Sequence, residues 1–122
     1  MNKEIKKIWT KALVSGKYKQ ATSFLKKEGK FCCLGVLCDL YRKKNKKGTW
    51  GMHEGVCSFK LNGKFDNGVL PSEVRKWAGL KTNRGEFTVE NIYGVKGKQS
   101  LVCKNDSGST FKEIAEIINK HF

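Results

Sequence analysis

Apolar positions recur at helical spacing in three places along the chain. Ile5, Ile8, Trp9, Ala12 and Leu13 form one stripe, which predicts a helix over 3–14 with Asn2 as its cap and Ser15–Gly16 as its stop. The run FCCLGVLCDLY is apolar on most of its circumference, with Leu34, Leu37, Cys38 and Tyr41 on one face, and predicts a buried helix over 33–42. Gly35 in its middle costs about 1 kcal/mol of helix propensity. A second element crossing close by would account for a residue without a side chain. Phe111, Ile114, Ala115 and Ile118 mark a last helix over 110–120, opened by the capping-box pair Thr110 and Glu113.

Between these helices the pattern is shorter. Residues 18–31 read as extended chain with a tight turn at KEGK, after which Phe31 enters the core. Val56, Phe59 and Leu61 predict a strand, with a second near Lys64–Phe65 after the turn pair Asn62–Gly63. A short helix is expected over 71–78, with Pro71 at its first position, Gly79 as its stop and Leu80 packing back over it. Strands are expected at Phe87–Val89, Ile92–Tyr93 and Leu101–Cys103, and NDSGS reads as a turn in which Asp106 accepts a backbone amide. The sum is one α+β domain over 1–122, three main helices on a small, largely antiparallel sheet. Ile8, Trp9, Leu34, Leu37, Ile114 and Ile118 are its expected core.

Charge changes the picture from fold to partner. Residues 1–50 hold fourteen Lys or Arg against three acids, a balance of +11, while residues 51–122 carry +3. Such a field attracts an anion, a polyanion or an acidic protein. Lysine outnumbers arginine twenty-two to three, which favours phosphate contact over bidentate base reading. The candidate binding residues are Lys3, Lys7, Lys43, Lys44, Lys46 and Lys47, with Trp50 and Tyr18 beside basic runs as rings for stacking or, alternatively, as core or turn residues. Equally, a solvated helix face accounts for the lysines of the first helix.

Catalysis draws little support. His53 stands beside Glu54, but the second histidine of a His-Glu-x-x-His site is missing, and no nucleophile elbow or Walker phosphate loop is present. Gly94–Lys98 holds glycines and lysines without the following helix that a phosphate cradle uses. The cysteines, Cys32, Cys33, Cys38, Cys57 and Cys103, are odd in number and lie mostly in apolar runs, so they read as reduced, buried thiols. Without a Cys-x2-Cys knuckle, a zinc site of Cys33, Cys38, Cys57 and His53 is the weaker reading. No metal, cofactor or enzyme activity is expected. No continuous apolar run long enough for a signal peptide or a membrane span occurs, so no membrane role is expected.

Four blocks, IWTKALVSGKYKQATSFL, FCCLGVLCDLY, VLPSEVRKWAGL and LVCKNDSGSTFKEIAEII, cover about half the chain. In them the sequence resembles a family of small proteins encoded by tailed phages and prophages. In related chains the approach to the last turn often reads Leu-x-x-Leu-Asn-Asp; here Lys104 takes the final leucine position. The resemblance implies no catalytic residues. It implies a phage accessory protein in the host cytoplasm, which with the basic surface reads as an inhibitor of a host defence protein or nucleoprotein. The alternatives are direct binding of DNA or RNA and a sponge for a cyclic nucleotide.

Overall fold

The computed structural model describes residues 1–122. The elements run α1 (Lys3–Val14), β1 (Lys26–Lys27), β2 (Lys30–Phe31), α2 (Cys33–Asn45), β3 (Thr49–His53), β4 (Val56–Leu61), β5 (Lys64–Asp66), α3 (Ser72–Ala78), β6 (Glu86–Glu90), β7 (Lys96–Ser100), α4 (Leu101–Asp106) and α5 (Phe111–His121). The class is α+β, and every strand pair is antiparallel. The extended chain is divided among three small sheets, β1–β2, β3–β4–β5 and β6–β7, where one sheet was expected, and there are five helices.

The helical stripes form the core. In α1, Asn2 Oδ1 accepts the Ile5 amide at 3.0 Å, and Ile5, Trp9 and Leu13 are buried. Ile8, expected in the core, is only half-buried, because the face of α1 that meets α2 and α5 is narrower than the sequence stripe. Trp9 Nε1 donates to the Cys33 carbonyl at 3.0 Å and ties α1 to the start of α2. Helix α2 is buried from Cys33 to Asp39, and a Cβ on Gly35 would run into the Leu25 backbone carbonyl. The glycine therefore marks the close crossing that its cost in propensity suggested. Leu34, Leu37, Ile114 and Ile118 are fully enclosed. In α5 the capping box closes both ways: Glu113 N donates to Thr110 Oγ1 at 3.2 Å, and Thr110 N to Glu113 Oε1 at 3.0 Å.

Several local expectations are corrected. Pro71 is the N-cap of α3, one residue before its expected position, with ψ at 146° outside the helical range. Leu101–Cys103 is the first turn of α4, opened by the Ser100 hydroxyl accepting the Cys103 amide at 3.1 Å. A three-residue apolar run fits strand or helix equally, and the cap decided it. The turn assigned to NDSGS is correspondingly shorter, since Asn105 and Asp106 belong to α4. Asn105 is buried; it accepts the Cys33 amide at 3.2 Å and donates to the Ala21 carbonyl at 2.8 Å, so it pins three segments together. Asp106 does accept a backbone amide, from the distant Ser23 at 2.9 Å. Ile92 and Tyr93 form no strand. They sit in the β6–β7 turn, where Asn91 Oδ1 accepts the amides of Tyr93 and Val95, and they are 91% and 83% exposed.

Candidate binding face

Asp39 is the one acid inside the apolar stretch of α2, and it organises what lies around it. Its side chain is enclosed, yet it accepts four donors: the Tyr18 hydroxyl at 2.7 Å, the Trp50 indole N–H at 3.0 Å, Arg42 Nε at 2.9 Å and Arg42 Nη2 at 2.8 Å. Lys43 Nζ stands 3.4 Å away and also donates to the Tyr18 hydroxyl at 3.2 Å. Burial pushes the Asp39 carboxyl up, and the bonds from Tyr18, Trp50 and Arg42 more than offset that, leaving it below the usual aspartate value. Burial and the neighbouring carboxylate raise the Tyr18 phenol. A charged-form acceptor thus joins the segment after α1, the end of α2 and β3.

Outward from this anchor, lysines alternate with aromatic rings. Tyr18 meets Phe31 edge-on at 5.0 Å, Phe31 meets Trp50 at 5.7 Å, and Trp50 meets Phe59 at 4.9 Å. Lys26 Nζ lies 5.2 Å from the Phe31 ring centre and 5.4 Å from that of Trp50. Lys27 lies 5.6 Å from Phe24, Lys43 5.3 Å from Tyr18 and Lys60 5.6 Å from Phe65. Each is within reach of the attraction between a cation and a ring face. The β1–β2 hairpin that carries Lys26 and Lys27 turns through Glu28 and Gly29, both at positive φ, 52° and 77°, as a two-residue primed turn requires. It packs beside β4. Between the β1–β2 and β3–β4 hairpins lies a recess of about 490 Å³ lined by Phe24, Lys26, Lys27, Met52 and Val56, with Glu28 the acid at its rim.

The residues singled out in the sequence are distributed unevenly over this face. Lys44, Lys46 and Lys47 are exposed around the end of α2, where Lys46 is the left-handed C-cap at φ 53°. Lys47 and Lys60 line one shallow recess, which joins that cluster to β4. Lys43 is engaged with Tyr18 and Asp39, so it is less free than its position in the run suggested. Trp50 is half-buried, with its indole held by Asp39 and Lys26 near its ring, so it braces the face. Lys3 and Lys7 are exposed on α1, a different element, whose Lys6 reaches the Asn119 carbonyl of α5 at 3.3 Å. Sequence reasoning missed Lys26, Lys27, Lys60, Phe24 and the organising role of Asp39. A lone carboxylate in an apolar helix, and a lysine pair leading into a hairpin turn, were the available signals.

Of the thiols, Cys32, Cys33 and Cys38 are buried, Cys57 is half-buried and Cys103 is exposed. His53 stacks on Phe65 with ring centres 3.9 Å apart, and no three His, Cys, Asp or Glu side chains are grouped to hold a metal ion. No helix is long and apolar enough to cross a membrane.

Fold and face together define a basic α+β protein in which lysines are laid against aromatic rings. The family model described as a domain of unknown function, DUF8296, matches residues 1–122, and the chain belongs to that family. No curated protein and no solved structure matches it.

Proposed function

We propose that this is a non-enzymatic binding protein that engages the phosphates of single-stranded nucleic acid through the face formed by β1–β2, β4–β5 and the end of α2. The observation that carries the reading is the repeated lysine–ring pairing at Phe24, Phe31, Trp50 and Phe65. A ring holds the ammonium in place, so less side-chain entropy is lost when a phosphate is met. Lysine as a point charge suits a backbone of variable geometry. Rings already occupied by ammonium groups or by one another favour backbone contact over base stacking. Titration of short labelled single-stranded DNA and RNA, followed by fluorescence anisotropy at several salt concentrations, tests this. Saturable binding whose log affinity falls linearly with log salt is expected.

A second reading keeps the basic surface and changes the partner: a phage accessory protein that blocks a host defence effector in the host cytoplasm. The resemblance to phage and prophage proteins supports it, and so does the exposed apolar tip of Ile92, Tyr93 and Val95, which a phosphate backbone has no use for and a protein partner would bury. Capture of tagged protein from infected cells with and without nuclease separates the two. A single host protein retained after nuclease treatment favours the effector, and loss of every partner favours nucleic acid. A sponge for cyclic nucleotides would instead carry away a small phosphate-containing ligand.

A further inference from the structure

The β7–α4 corner, whose recess shares no lining residue with the lysine–aromatic one, carries a second constellation. Cys103 is exposed in the first turn of α4 and opens into a recess of about 480 Å³. Arg84, Lys98 and Lys104 line that recess, with Glu86 as the single acid among its lining residues and Ser107 and Ser109 supplying hydroxyls. Arg84 Nη2 stands 3.7 Å from the Cys103 sulfur. The recess is therefore a cationic pocket with a thiol in its wall, and its lining holds no aromatic ring to receive a nucleobase.

We propose that this recess is a modification site for small disulfides that carry carboxylates, which dock on Arg84, Lys98 and Lys104 and exchange onto Cys103. The Cys103 thiolate attacks one sulfur of the bound disulfide. The new Sγ–S bond forms as the old S–S bond breaks, and the departing half leaves as a thiolate that takes up the proton Cys103 released. The protein thiol is oxidised, the small disulfide is reduced, and one small thiol is released per adduct. The remaining thiols set the contrast. Cys33 and Cys38 are enclosed in α2, burial pushes Cys32 up to about 11, and Cys57 is half-buried in β4. At Cys103 the Ser100 side chain and then Arg84 draw the thiol below its ordinary value, against the opposing effects of burial and then Asp106. The adduct would fill the recess and place carboxylates at a corner that is otherwise basic.

The full chain is treated at neutral pH and low salt with glutathione disulfide, which is anionic, or with cystamine, which is cationic. Each rate is divided by the same reagent's rate with free cysteine, and adducts are located by peptide mass. We expect a single adduct at Cys103 and a standardised preference for glutathione disulfide of about tenfold, the scale of electrostatic focusing in a charged cleft. High salt should reduce the preference several-fold, and so should the pair Arg84→Gln and Lys98→Gln with an unchanged thermal melt. Cys103→Ser should abolish the adduct. Equal standardised rates for the two reagents, or first modification at Cys57, would overturn the proposal. The salt arm on the unmodified chain stands even if the double variant folds poorly.

Discussion

Replacing Gly35 by alanine sets two predictable effects against each other. Helix propensity alone favours alanine by about 1 kcal/mol. Packing opposes it, because the added Cβ would lie 2.7 Å from the Leu25 carbonyl carbon and closer still to its oxygen. Both are backbone atoms, so no side chain can swing away. Leu25 is fully buried; its amide donates to Asn67 O at 2.6 Å, and its carbonyl accepts from Cys32 N at 3.1 Å. Moving the Leu25 backbone weakens both bonds, at about 1 kcal/mol each. Strain in the surrounding core adds about 1–3 kcal/mol. After the propensity gain the net loss is about 3 kcal/mol. With an unfolding entropy of about 2.1 cal/mol/K per residue, that lowers the melting temperature of the 122-residue chain by roughly 12 °C. Circular dichroism melts of parent and variant measure it. An unchanged or raised melting temperature would refute the close crossing of Leu25 over α2.

Ile114→Asp puts a charge where the side chain is fully enclosed and should leave the chain unfolded or nearly so, visible as loss of a cooperative melt. Asp39→Asn removes the charged acceptor of Tyr18, Trp50 and Arg42 and should cost about 2 kcal/mol in urea unfolding at neutral pH. Because the folded-state value of Asp39 is depressed, its contribution is present above the ordinary aspartate range and is lost as pH falls through and below it; the gap between parent and variant should therefore close on acidification below about pH 4. Ile92→Ser together with Tyr93→Ser should change stability by less than about 0.5 kcal/mol, since both side chains are exposed; a larger loss would mean that the hairpin tip is packed.

The three long helices were legible because each keeps an apolar stripe for three turns or more, and because Asn2, Thr110 and Glu113 announce their starts chemically. Gly35 was legible for the opposite reason, as a residue that its own helix disfavours. What failed was short. Leu101–Cys103 has no period to read, and Ile92–Tyr93 has strand-like side chains at a turn set by Asn91. Strand β3 went unread because Thr49–His53 lies almost wholly exposed and has no buried alternation; its partner β4 defines it. The same limit applied to the lysine–aromatic face. Counting lysines along the chain located charge in the first half, but the pairing of Lys26 with Trp50 and of Lys60 with Phe65 exists only after the hairpins pack. Asp39 shows why the count overstates the free charge: it engages Arg42 and Lys43, two members of the most basic run.

Whether the lysine–aromatic face meets phosphates is decided by the salt dependence of single-strand binding by the parent and by a variant carrying Lys26→Gln, Lys27→Gln and Lys60→Gln. Each lost phosphate contact should reduce the slope of log affinity against log salt by about 0.7, so the triple variant is expected to lose roughly 2 from the slope while Lys3→Gln with Lys7→Gln changes it little. Equal slopes and equal affinities for parent and triple variant would mean that Lys26, Lys27 and Lys60 meet no phosphate.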